Sequence, residues 1–98
     1  MAETTGKVQL SYDVSDKWEE VKSTLINEYK YSDVALDIPT SWIYDLPNTT
    51  LHHQNKEVSK AIKDIENVCQ RHKVTLKKAV AALISEVAYY NEKKHYNE

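Results

Sequence analysis

The chain has 98 residues, 41% of them apolar and 29% charged, with a formal net charge of −2 at pH 7. That is the range of one ordinary globular domain, which can bury a core but cannot also wall off a large substrate cavity. A single glycine (Gly6) and two prolines (Pro39, Pro47) exclude glycine-rich phosphate loops, and a lone Cys69 excludes an intrachain disulfide.

No apolar run approaches the roughly 18 residues of a membrane span. No charged and then apolar leader opens the chain, and Ala2 stands where myristoylation needs glycine. These features predict a cytoplasmic protein, in which the Asn48-Thr49-Thr50 sequon is coincidental.

Residues 1–6 are polar and read as a flexible tail, with 7–98 as a single domain. Lys7 to Tyr12 alternates with period two, placing Val8, Leu10 and Tyr12 on one face of a short strand. Asp13 and Ser15 are candidate N-caps, and Asp16, Glu19 and Glu20 load the following turn with the negative charge a helix N-terminus favours. Trp18, Val21, Leu25 and Tyr29 then recur at helical spacing, predicting a helix over about 16–30. Between 31 and 48, Pro39 and Pro47 break any long element, and two short helical turns or an ordered loop fit equally.

From Thr49 onward the periodicity is helical. Leu51, Val58, Ile62, Ile65 and Cys69 predict a helix over about 50–72. Leu76, Val80, Leu83, Val87 and Tyr90, with Thr75 as N-cap, predict another over about 75–94. The short connection at His72–Val74 makes the two neighbours. Val58 with Tyr90, Ile62 with Val87, Ile65 with Leu83, Cys69 with Val80 and His72 with Leu76 fall into register as layers of an antiparallel helical hairpin. The expected fold is therefore mainly α: a small three-helix domain built on a long hairpin, with one short N-terminal β-strand. Two helices leave Ile84, Val68 and Tyr89 to be covered by the third helix, by the Trp42 segment or by a second copy of the chain.

Residues able to carry chemistry are scattered. Cys69 lies on the apolar stripe, where a thiol packs as a hydrophobe. Cys69 and His72 have the spacing of a zinc half-site, but no second pair completes it. The hairpin register brings His52, His53 and His95 to one end, where solvated histidines are the commoner outcome. No catalytic residue, metal or cofactor is expected.

Charge is more informative. Residues 1–50 carry nine acidic and four basic side chains, and residues 51–98 carry six and nine. Arg71, Lys73, Lys77 and Lys78 crowd the tight turn between the two expected helices, in the outline of a helix-turn-helix whose second helix, opening at Thr75, would meet nucleic acid. Trp42, Ile43, Tyr44 and Leu46, between the two prolines, have the make-up of a protein-contact anchor, with large area and few rotors to freeze. The reading is a non-enzymatic regulatory or adaptor protein that binds a protein partner. An inhibitor or a viral or phage accessory factor is in keeping with that character. Nucleic-acid binding through Arg71–Lys78 is the alternative.

Overall fold

The computed structural model describes residues 4–37, 42–85 and 95–96, with side chains for all of these except 36, 37, 42–45, 95 and 96. β1 (Gly6–Val14) opens the fold. Val8, Leu10 and Tyr12 are buried, the face that the alternation predicts. α1 (Trp18–Tyr29) lies within the expected helix and buries Val21 and Leu25. Its cap differs from expectation. Lys17 occupies the N-cap in a left-handed conformation, Asp13 belongs to β1, and Ser15 Oγ accepts the backbone N–H of Thr75 at 2.9 Å.

The middle segment holds β2 (Val34–Asp37) and β3 (Trp42–Asp45), paired antiparallel from Val34 with Asp45 to Asp37 with Trp42. Strands therefore stand where short helical turns or a loop were expected. β4 (Thr50–Lys56) and α2 (Val58–His72) follow, then β5 (Leu76–Leu83) and the two-residue β6 (His95–Tyr96), which pairs with β3. Two three-stranded sheets result, one ordered β4-β1-β5 and the other β2-β3-β6.

The domain is α+β, and the expected three-helix bundle with its helical hairpin is wrong. Only the last two-thirds of the expected 50–72 helix is helical. Its first part is β4, which pairs Leu51 with Leu10 and His53 with Val8. The expected 75–94 helix begins as β5, which pairs Ala81 with Leu10 and Ala79 with Tyr12. Its remainder, residues 86–94 with Val87, Tyr89 and Tyr90, lies outside the described residues, as do residues 1–3 of the expected tail. The physical reason is β1 itself. A half-buried strand carries N–H and C=O groups along both edges, and burying them without partners is costly. The two flanking segments supply those partners, so they cannot be helical.

β4 and β5 both run antiparallel to β1, so they are parallel to each other with β1 between them. α2 connects them and packs on β5 and β1, while α1 packs beside α2. The core lies between sheet and helices, built from Val8, Leu10, Tyr12, Val21, Leu25, Tyr31, Leu51, Ala61, Ile65, Val68 and Cys69. Ala79 and Ala81 face this core from β5. Their small side chains let α2 lie close to the sheet.

Both helices end on left-handed lysines, Lys30 (φ 65) and Lys73 (φ 58), in the place glycine usually takes. Such a backbone costs an ordinary residue about 1–2 kcal/mol. Lys73 is exposed, so Lys73→Gly should raise the unfolding free energy by about 1 kcal/mol in urea titrations.

A second pair of variants separates this fold from a helical hairpin, which would bury Val80 against Cys69. Val80 is 66% exposed and Leu10 fully buried. Val80→Ala should change stability by less than about 0.5 kcal/mol, whereas Leu10→Ala should cost about 2–5 kcal/mol. A large loss at Val80 would contradict the strand assignment.

Candidate functional site

The two edges of the β4-β1-β5 sheet are finished differently. In an antiparallel ladder, successive residues turn their backbone groups to alternate sides. Tyr12 N–H bonds Thr49 C=O at 3.1 Å on the β4 side, and Ile84 N–H bonds Lys7 C=O at 2.8 Å on the β5 side. On β4, the residue turned outward at His52 is met by Ser32, which exchanges two hydrogen bonds with it at 2.8 and 2.9 Å. That edge is occupied at its middle.

On β5 the same alternation gives Lys78, Val80 and Ala82 to β1, and turns the N–H and C=O of Ala79, Ala81 and Leu83 away from it. No described strand pairs with them. Val80 and Leu83 are exposed large apolar side chains (66% and 43%), and Ala82 between them is also exposed. The usual guards of a sheet edge are charge and irregularity. Here both sit at one end, as exposed Lys77 and Lys78 and a register shift opposite Asp13 and Val14. The stretch from Ala79 to Leu83 has neither. Beside it, a depression of about 190 Å³ is lined by Ser11, Tyr12, Asp13, Lys78, Ala79 and Val80.

A polar cluster lies on the other side of the sheet. Tyr31 Oη donates to Asp64 Oδ2 at 2.9 Å, and Lys56 Nζ pairs with the same oxygen. The His53 ring stands edge-on to Tyr31 at 5.1 Å, and Lys56 lies 5.0 Å from the Tyr31 ring centre. Burial, the Asp64 hydrogen bond and the Asp64 charge, in that order, push the Tyr31 phenol well above its ordinary range. Asn55 N–H donates to His53 Nδ1 at 3.1 Å, which requires that nitrogen unprotonated. The cluster ties β4 and α2 to the segment that follows α1. Its polar atoms are engaged with one another, which suits a fastening better than an acid or base.

The residues singled out in the sequence scatter over this frame. Trp42, Ile43 and Tyr44 lie in β3, with their side chains outside the described residues; half-buried Leu46 follows, its N–H bonded to Asp33 C=O at 2.9 Å. Arg71 pairs with Glu28 at 2.7 Å, Lys73 caps α2, and Lys77 and Lys78 lie on β5, Lys78 opposite Asp13. The recognition helix expected after Thr75 does not form, because that segment is β5, and Glu28 and Asp13 interrupt the basic run.

Cys69 is buried, its thiol pushed up in pKa by burial. His72 Nε2 bonds Thr24 Oγ1 at 2.8 Å. The grouping of His52 and His53 with His95 depended on the hairpin and lapses with it. Among the described residues, no three His, Cys, Asp or Glu side chains are grouped to hold a metal ion. The sequence reading missed Ala79, Ala81 and Leu83 as outward-turned backbone. Their signal was an apolar run with charge at one end only.

No family model, curated protein or solved structure matches the chain. No described helix is long and apolar enough to cross a membrane.

The sheet carries a pH dependence. His52 and His53 are both lowered from the ordinary histidine value, first by burial and then by Lys7 for His52 and Lys56 for His53. The unfolded chain therefore takes up these protons at higher pH than the folded one. Stability is complete above the unfolded value of about 6.5, and falls as pH drops through it toward the lower folded-state values. Tm should decline across that window, and His53→Gln should flatten the decline. A Tm unchanged from neutral to mildly acid pH would contradict the assignment.

Proposed function

We propose that the chain is a protein-binding module of regulatory or adaptor type, with no catalytic step of its own. It holds its partner by taking an extended segment as a further strand on β5. The observation that carries this reading is the outward-turned N–H and C=O of Ala79, Ala81 and Leu83 beside exposed Val80 and Leu83. Strand addition draws affinity from backbone hydrogen bonds and specificity from alternate side chains. The strand that fits places a small or β-branched apolar residue against Val80, and an acidic or polar one near Lys78. Docking of this kind needs no deep cavity, which suits so small a domain.

A photo-crosslinking side chain at position 82, beside the open edge, tests the reading in cells against the same group at position 20 on α1. Position 82 should give a discrete adduct that position 20 does not. Ala81→Pro should abolish it, since the Ala81 N–H points outward and proline there removes no bond to β1. Absence of an adduct at position 82, or one indifferent to Ala81→Pro, would overturn strand addition at this edge.

A further inference from the structure

Resting on the strand-addition reading, we infer that the β5 edge pairs with the β5 edge of a second copy of the chain, antiparallel about a two-fold axis through Val80. Orientation follows from charge. A parallel copy would set Lys77 and Lys78 directly against their own counterparts, and like charges facing each other across a strand pair are destabilising. Reversing the copy moves each lysine to the apolar end of the other strand: Lys78 opposite Ala82, and Lys77 opposite Leu83. There the lysine stems lie along apolar surface while the ammonium groups remain in water.

The ladder and the exposed valine together set the register. Ala79, Ala81 and Leu83 turn backbone groups outward, so the axis can pass through Val80 or through Ala81, and only the first sets Val80 against its own counterpart. Centring on Val80 joins Ala79 of each copy to Ala81 of the other. Val80 then meets Val80 in a non-hydrogen-bonded pair, where Cα atoms come to about 4.5 Å and side chains are closest. The most exposed of the large apolar side chains on β5 is thus covered by its own symmetry mate. The two sheets become one, and the unguarded stretch Ala79–Leu83 faces solvent in neither copy. At the other edge Ser32 already occupies β4, so assembly closes at a pair instead of growing into a fibre.

Area sets the strength. The regular part of β5, Lys78–Leu83, spans about 20 Å at 3.4 Å per residue. One strand edge of that length falls short of the roughly 800 Å² per partner of a standard stable interface. The pair is therefore reversible and concentration-dependent.

Sedimentation equilibrium of the purified chain, from micromolar to millimolar concentration, reads the result. The weight-average mass should rise from one chain toward two. Val80→Lys and Val80→Glu should each remain monomeric at concentrations where the wild type is largely dimeric, with unchanged melting as single chains. An equimolar mixture of the two should dimerise again, because opposite charges then meet at the axis. Rescue by mixing is expected only if Val80 faces Val80. A wild type monomeric throughout, a dimer indifferent to Val80→Lys and Ala81→Pro, or a mixture that stays monomeric would overturn the self-pairing. A monomeric wild type that still gives the position-82 adduct in cells would remove the second copy as occupant and leave the strand-addition reading standing. Loss of both would remove both.

Discussion

β1 bonds on both sides, and the rest of the molecule is arranged around that fact. Val8, Leu10 and Tyr12 give their backbone groups to β4 and their side chains to the core. Lys7, Gln9, Ser11 and Asp13 give theirs to β5 and the opposite face. Each residue from Lys7 to Asp13 is thus committed twice, once through its backbone and once through its side chain. A one-residue slip would move Val8, Leu10 and Tyr12 off the core face and put Gln9 and Ser11 on it. With β1 held, α2 follows as the connection that returns the chain from β4 to β5, and its Ala61, Ile65 and Val68 complete the core. α1 then closes the remaining side, tied to α2 through Thr24 with His72 and through Glu28 with Arg71.

What could be read from the sequence, and what could not, divides along this dependence. β1 and α1 were legible because each carries its own period. Leu, Tyr and Val alternate with polar residues in one, and Trp18, Val21, Leu25 and Tyr29 recur at helical spacing in the other. β4 was not, because Leu51 is its only apolar residue: its other buried side chain is His52, on the opposite face, and His53 opposite Val8 is half-buried. Histidines in these places leave no apolar alternation to see, and Leu51 happens to fall seven residues before Val58. β5 failed for the opposite reason. Alanine occupies both faces, so period two is blurred, and Leu76, Val80 and Leu83 satisfy a helical spacing by coincidence. Its alanines, leucines and lysines are also strong helix formers. Tertiary demand overrode propensity, and that demand was implicit in β1: a strand recognised at Lys7–Tyr12 needed two neighbours, and the chain contains few segments able to supply them.

The candidate surface was hidden by the same error. Treated as a helix, residues 76–83 bury Val80 and expose Lys77 and Lys78, which draws attention to the basic turn. As a strand, they expose Val80 and Leu83 and turn three residues of backbone outward. The lysines then become what commonly guards a sheet edge, present at only one end of it. The polar clusters were harder still to foresee. Tyr31, His53, Lys56 and Asp64 come from segments that only the sheet and α2 bring together, and no local spacing announces them.

The composition that disguised β5 also bears on the edge that no described strand pairs with. Ala79 and Ala81 are small because α2 must lie close beneath them, and a bulkier pair would push the helix off the sheet. Small side chains on the inner face leave little bulk to overhang the neighbouring backbone, so the N–H and C=O groups of those same two residues stay accessible from the side. Close packing beneath the strand and accessibility along its edge are thus two results of one choice of residue. A β-branched residue at either position would shield the backbone better while crowding α2. The chain keeps the alanines, and an edge unpaired among the described residues comes with the packing.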